Sequence, residues 1–424
     1  MADSFKKRRI MSDFTSQDIL MEILKRLPIK YLLRCMCVEK SWYRLIQSPY
    51  FIDLHFHHKE NKDKYLFFQD RNHSKFFLRV DDKQCNKHQP GLRLPRGPKD
   101  RERGLYTNKI HGICRGLICF SVENLNSSEQ HRIYLWNPAI RIFEILPKSP
   151  DPPRRHKNYT DFFAFGYFQK INDYKVIKFQ CYYLILGKDP PAPTVYIYSL
   201  STNSWKTVGK DNVAQFSNYR ELYNSVIVNG VAYWVGIKDP FMQVIVCFDI
   251  ENEKIQEIML PPEYALDRYN GHISSFNLVQ RSDEVLLSAA YMNYGAKTSC
   301  ILDIFALEND GVDVVCTKKV SIDLNKVGRN WWPIGFRYNG EIILFNYHYT
   351  QGGFLSYDHE KEVATEILDN SWDLWYYADI YTPDNPAYYY NSGMFDPFDA
   401  GEEHMQFMYV NSFEESLVLL GNEL

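Results

Sequence analysis

The 424-residue chain contains no apolar run of the roughly 18–20 residues that a helix needs to span a bilayer. Its N-terminal basic cluster, Lys6–Arg9, is followed by an amphipathic segment and not by an apolar core, which argues against a secretory signal. Its nine cysteines are odd in number and thinly spread, so they do not resemble a disulfide framework. We therefore predict reduced thiols and a cytosolic or nuclear protein.

The common catalytic motifs are also missing from the sequence. It has no G-x-S-x-G elbow, no H-E-x-x-H, no P-loop and no G-x-G-x-x-G. Adjacent carboxylates such as Asp81 and Asp82 would point to opposite faces of a strand, where they cannot work as a pair. We predict a non-catalytic protein without a cofactor.

One constellation has the spacing of zinc ligands: Cys85-x2-His88 followed by His111-x2-Cys114. The surrounding sequence supplies few other ligands, so we interpret Cys85 and His88 as part of a polar loop and Cys114 as the start of a strand. The cluster His55, His57 and His58 is interpreted as a solvated linker. No metal site is predicted.

Lysine and arginine are absent from residues 362–424, which carry 13 acidic side chains, whereas residues 1–110 carry 24 basic and 13 acidic ones. The net charge of −3 is therefore a cancellation between the two ends. The basic end, rich in Phe and Tyr, leaves nucleic-acid binding open as an alternative function. Aromatic and acidic residues of the other end predict a surface for a basic protein. The candidate target-binding residues are Trp372, Trp375, Tyr388, Glu402 and Glu403.

Residues 12–50 have helical periodicity. Leu20, Ile23, Leu24 and Leu27 form one stripe at i, i+3, i+4 and i+7, and Pro28 ends that segment. A second short helix contains Leu32, and a third contains Trp42 and stops at Ser48-Pro49. Three helices in about 35 residues bury little core, so part of the stripe should face a partner.

After residue 60 the apolar pattern changes to the alternation of strands. A unit of strand, polar turn and strand recurs at spacings of 50 to 62 residues, and a half-copy ends the series. The units are Ile133–Leu146, Val195–Val208, Val244–Ile258, Cys300–Val314, Gly353–Ile367 and the half-copy Phe407–Val418. Four strands per 50–60 residues indicate a β-propeller of about six blades, with two packed sandwiches as the alternative. Tyr65–Gln69 could pair with a C-terminal strand and close the ring.

The sequence of residues 14–55, with Leu27-Pro28, Trp42 and Ser48-Pro49, resembles an F-box. The rest resembles the F-box-associated domain of plant F-box proteins. By residues 45–55 (LIQSPYFIDLH) and 414–420 (EESLVLL), the chain is most similar within that group to the S-locus F-box proteins. The motifs that carry this resemblance include Gly116-Leu117-Ile118, Trp136-Asn137-Pro138, Phe165-Gly166-Tyr167, Tyr174-Lys175-Val176, Asn229-Gly230 and Phe248-Asp249.

The resemblance implies an α+β multidomain chain: a basic disordered N-terminus over 1–13, a three-helix F-box over 14–55, a linker over 56–64 and an all-β propeller over 65–424. It implies a non-catalytic substrate-recognition subunit of an SCF-type ubiquitin ligase. The F-box would bind a Skp-family adaptor, and through it a cullin. The propeller would bind a target protein, which in the S-locus group is a basic ribonuclease. The adaptor-binding residues implied are Leu20, Ile23, Leu24, Leu27, Pro28, Leu32 and Trp42.

Overall fold

The computed structural model describes residues 17–58, 64–69, 76–82, 88–92, 106–124, 132–150, 159–182, 193–209, 219–238, 242–260, 272–281, 284–293, 299–309, 314–328, 331–346, 354–368 and 409–418. Short helices come first and antiparallel sheets follow, which confirms the predicted order of a helical region and a β-propeller. The helices are α1 (17–24), α2 (Ile29–Cys35), α3 (Lys40–Ile46) and α4 (Pro49–His57). We call residues 17–58 the helical module.

The prediction of three helices is wrong, because the described part of the helical module contains four. Ser48-Pro49 was interpreted as a stop signal, but it begins α4. The Ser48 hydroxyl accepts a hydrogen bond from the Phe51 backbone N–H at 3.2 Å, and Pro49 occupies the first helical position. A serine N-cap with proline directly after it is a favoured helix start, since proline lacks an N–H that would be left unpaired there.

Five blades are each built from four consecutive antiparallel strands. Blade one contains β4 (Tyr106–Cys114), β5 (Leu117–Asn124), β6 (Arg132–Asn137) and β7 (Ile142–Ile145). Blade two contains β8 (Tyr159–Phe168), β9 (Asp173–Tyr182), β10 (Thr194–Ser199) and β11 (Ser204–Thr207). Blade three contains β12 (Tyr219–Val228), β13 (Val231–Lys238), β14 (Met242–Asp249) and β15 (Lys254–Met259). Blade four contains β16 (His272–Arg281), β17 (Glu284–Asn293), β18 (Ser299–Asn309) and β19 (Val314–Asp323). Blade five contains β20 (Trp331–Phe336), β21 (Ile342–Asn346), β22 (Phe354–Asp358) and β23 (Val363–Leu368).

A further four-stranded sheet is assembled from both ends of the chain, and we call it the composite sheet. It contains β1 (Tyr65–Gln69), β2 (Phe76–Val80), β3 (His88–Leu92) and β24 (Tyr409–Phe413), in the order β24-β1-β2-β3. Tyr65 lies opposite Phe413 in the antiparallel pairing of β1 with β24. The predicted pairing of Tyr65–Gln69 with a C-terminal strand is confirmed.

The first strand of each blade, together with β24, forms a closed ring of neighbouring strands. The strands in contact around this ring are, in order, β4, β8, β12, β16, β20 and β24. The recurring sequence unit corresponds to the two outer strands of a blade, as in β6–β7 and β10–β11. The half-copy over Phe407–Val418 has a different place, because β24 belongs to the inner ring.

Local sequence explains the hairpins and the ring closure. Asn229 and Gly230 have φ angles of 50° and 85°, which the two-residue hairpin turn between β12 and β13 requires. The composite sheet is tied to blade five by a buried ion pair, in which Arg337 Nε donates to Asp81 Oδ1 at 2.6 Å. The Tyr338 backbone N–H donates to the other Asp81 oxygen at 3.2 Å. These bonds offset the cost of burying two charges.

Candidate functional site

The helical module has its own apolar core, and the predicted stripe of α1 contributes to it unequally. Leu24 is 1% exposed and Leu32 is fully buried, so both pack inside the module. Leu20, Leu27 and Trp42 are half-buried against the same core. The structure therefore places Leu24 and Leu32 in the core, where they hold the helices together.

The outer side of α1 exposes apolar side chains. Ile23 is 55% exposed and Ile19, one helical turn earlier, is 60% exposed. They line a shallow, mostly apolar groove together with Asp18, Glu22, Arg26 and Leu27. Ile19 was missed in the sequence because the stripe beginning at Leu20 accounted for the core side of the helix. The i, i+4 spacing of Ile19 and Ile23 was the available signal.

One charged group at the rim of the groove, Glu22, is in an ion pair. Lys25 Nζ donates to Glu22 Oε1 at 2.6 Å, and this hydrogen bond lowers the pKa of the Glu22 carboxyl. Pro28 is exposed and directly precedes α2. The arrangement is an apolar strip bordered by charged side chains, which suits a complementary apolar helix or strand better than a small polar molecule. Contact of the predicted residues with an adaptor stays a prediction.

His55 is 5% exposed, so its interpretation as part of a solvated linker is wrong. Its Nε2 lies 2.9 Å from the Leu27 carbonyl oxygen and donates to it, because a carbonyl only accepts. His55 also stacks on Phe51. The histidine therefore joins the end of α4 to the segment between α1 and α2.

The helical module is joined to blade one through Arg115, at the turn between β4 and β5. The Arg115 guanidinium donates to Asp53 Oδ1 at 2.9 Å and to His57 Nε2 at 3.1 Å, both on α4. It also lies 4.6 Å from the ring centre of Phe56 and 4.0 Å from that of Tyr167. A planar guanidinium that contacts two rings and a carboxylate holds these groups in one relative orientation.

The zinc constellation is only partly described. Cys85 lies outside the described residues, and His88 lies in β3, whereas His111 and Cys114 lie in β4 of another sheet. Burial raises the pKa of the Cys114 thiol to about 11. Because zinc binds the thiolate, this environment disfavours Cys114 as a ligand.

The titratable groups with the largest changes are buried cysteines and tyrosines. Burial raises the pKa of Cys119 and of Tyr219 well above their usual ranges. A nucleophilic thiol needs the opposite change, a lowered pKa and access to solvent. These side chains are therefore core residues and do not form an activated site.

The predicted target-binding residues Trp372, Trp375, Tyr388, Glu402 and Glu403 lie outside the described residues, as does Lys6–Arg9. Of the acidic region, the structure describes 362–368 and 409–418. The target surface therefore stays a prediction. In the described part of the chain, none of the helices is long and apolar enough to cross a membrane.

Comparisons with known proteins match both parts of the chain. An F-box domain family matches residues 16–54, and an F-box associated beta propeller domain family matches residues 97–284. The Arabidopsis thaliana protein At5g52610, named as an F-box protein, is 26% identical over 340 residues, which are 78% of this chain and 86% of the relative. At1g47790 of the same plant, also named as an F-box protein, is 25% identical over 324 residues, covering 73% and 70% of the two chains. Among solved structures, the Aleuria aurantia lectin aligns with 72% of this chain and 93% of its own at a TM-score of 0.39 and 10% identity.

Proposed function

We propose that this chain is a plant F-box protein and the substrate-recognition subunit of an SCF-type ubiquitin ligase. Support comes from the matches to an F-box domain and to an F-box associated domain, and from the similarity to F-box proteins of Arabidopsis. The helical module binds a Skp-family adaptor and through it a cullin, while the propeller binds the target. Ubiquitin transfer is carried out by other subunits, in the cytosol or the nucleus.

The observation that carries this proposal is the exposed apolar strip on α1. Ile19 and Ile23 are more than half exposed, although the neighbouring Leu24 is almost completely buried. An apolar strip that its own fold leaves in solvent is a common mark of a protein interface. Helix-in-groove binding uses anchors at this i, i+4 spacing.

The test is adaptor binding by the double variant Ile19→Asp plus Ile23→Asp in the full chain. Each isoleucine has roughly half of its surface left to bury, which contributes about 1–1.5 kcal/mol, so removing both anchors should weaken binding roughly 30-fold or more. The matched control is Ile171→Asp in the turn between β8 and β9 of blade two, because Ile171 is also an isoleucine and is 58% exposed. Unchanged adaptor affinity in the double variant would contradict the proposed site.

For the target we propose a basic protein, and the resemblance to the S-locus group makes a basic ribonuclease the first candidate. Support comes from the sequence of residues 362–424, which has 13 acidic side chains, no lysine and no arginine. Opposite charge speeds encounter and weakens with salt. Glu402→Gln plus Glu403→Gln should therefore slow association with a basic ribonuclease at low salt and have less effect at high salt. Equal rates for variant and native chain would contradict this surface.

A further inference from the structure

The core of the helical module is completed by a side chain from the other end of the sequence. Leu417 is 4% exposed and packs in the same apolar cluster as Leu24, Ile29, Leu32 and Phe51. It belongs to the segment Glu414–Val418 that directly follows β24, which we call the C-terminal segment. An F-box of about 40 residues buries little surface alone, so a borrowed leucine is a large part of its core.

Blade one holds the C-terminal segment in place. The Asn137 side-chain amide, which is fully buried, donates to the Ser416 carbonyl at 2.9 Å and to the Val418 carbonyl at 3.0 Å. The Val418 backbone N–H donates to the Ser416 hydroxyl at 3.2 Å. A single amide that binds two carbonyls fixes the direction of the backbone between them, and Leu417 is the residue between them.

The C-terminal segment lies in close contact with blade one. Gly116 lies against Ser416 so tightly that a Cβ on the glycine would be 2.6 Å from the serine side chain. Ala139 and Ile140, in the turn after β6 of the same blade, are half-buried against the core of the helical module that Leu417 enters. The C-terminal segment is therefore enclosed between blade one and the helices.

We propose that the C-terminal segment is an internal partner of the F-box, which completes the F-box core and fixes the module on blade one. Leu417, which is not on the exposed face of α1, then acts as a positioning residue for adaptor binding. The structural part of this proposal is independent of the proposed function. Only its effect on adaptor affinity rests on that function.

The experiment is hydrogen exchange of the full-length chain, measured on peptides from α2–α4 and from the β12–β13 hairpin. Leu417→Ala should speed exchange of the helices roughly 30-fold or more, because it empties a buried leucine site. The hairpin on blade three reports on the propeller and should not change. Leu417→Met keeps the volume and should retain most of the protection. Ile171→Ala, at an exposed aliphatic residue, is the surface control.

If Leu417→Ala also unfolds the propeller, Leu417→Val provides a smaller truncation of the same contact. An intermediate rise in helix exchange with an unchanged hairpin then supports the proposal. Helix exchange equal to that of the native chain in Leu417→Ala overturns it. Adaptor affinity is measured in parallel and should fall with helix protection. A native chain that binds no adaptor refutes the proposed function, while the exchange data still decide the role of Leu417.

Discussion

Two neighbouring residues of α1 should respond in opposite ways to the same truncation. Leu24 is 1% exposed inside the helical module, whereas Ile23 is 55% exposed on the groove. Leu24→Ala removes a buried side chain and leaves a cavity, which costs about 2–5 kcal/mol in stability. Ile23→Ala removes an exposed side chain from a helix, and its effect on stability should stay within about 0.5 kcal/mol.

The two truncations should have the opposite ranking in their effect on adaptor affinity. Ile23 has roughly half of its surface left to bury, so its truncation should cost about 1–1.5 kcal/mol of binding, which is roughly 5–10-fold in affinity. Leu24→Ala should weaken binding only in proportion to the loss of the folded module.

The assay for stability is hydrogen exchange of α2–α4, because a single unfolding free energy is poorly defined for a chain of several cooperative parts. Adaptor affinity is measured on the same preparations. If Leu24→Ala left the exchange rates unchanged and removed adaptor binding, Leu24 would be a contact residue. The division of the α1 stripe into a core side and a partner side would then be wrong.

The ring closure, the alkaline limit of stability and the turn under the C-terminal segment give further tests. Arg337→Ala leaves the buried Asp81 carboxylate without its ion-pair partner and should cost about 3–5 kcal/mol, so an unchanged melting temperature in calorimetry would contradict the role of this pair. Burial raises the pKa of Cys114 from 9.0 to about 11. The protonated Cys114 thiol therefore contributes fully to the free energy of unfolding below pH 9.0. This contribution is lost as the pH rises towards 11, because the thiol ionises first in the unfolded chain. The fall in the urea midpoint over this range should be smaller in Cys114→Ala, and an identical fall would exclude the thiol as a cause. Gly116→Ala and Gly230→Ala both place a side chain at a φ near +80°, but only the first adds a clash with the C-terminal segment. Gly116→Ala should therefore speed exchange of the helices much more than Gly230→Ala, and equal effects would argue against a tight contact there.

Sequence periodicity predicts the outer half of four of the blades well. The recurring strand-turn-strand unit matches β6–β7, β10–β11, β14–β15 and β22–β23, because these pairs are local and their turns carry Asn, Asp or Gly. The closure by β1 and β24 could be inferred only from the count of strands left over at the ends. Its register, with Tyr65 opposite Phe413, depends on packing between residues far apart in sequence.

The candidate site was harder to predict, for reasons visible in three places. A helical stripe shows which residues are apolar but not which of them the other helices cover, so Ile23 and Leu24 looked equivalent. Ser48-Pro49 ends one helix and begins the next, and the same two residues carry both signals. The burial of His55 depends on the Leu27 carbonyl, 28 positions away, which no local pattern reveals.

The charge division along the chain has a structural counterpart. Residues 1–110 carry the excess of basic side chains and residues 362–424 the excess of acidic ones. Two contacts between the described parts of these regions follow each other along the chain: the pairing of β1 with β24 and the packing of Leu417 among the helices. The second contact directly follows the first along the chain, so the register of the composite sheet determines where Leu417 arrives. A one-residue shift of β24 would turn its side chains to the opposite face and displace Leu417 from the helical module. The core of the helical module should therefore depend on the correct register of β24.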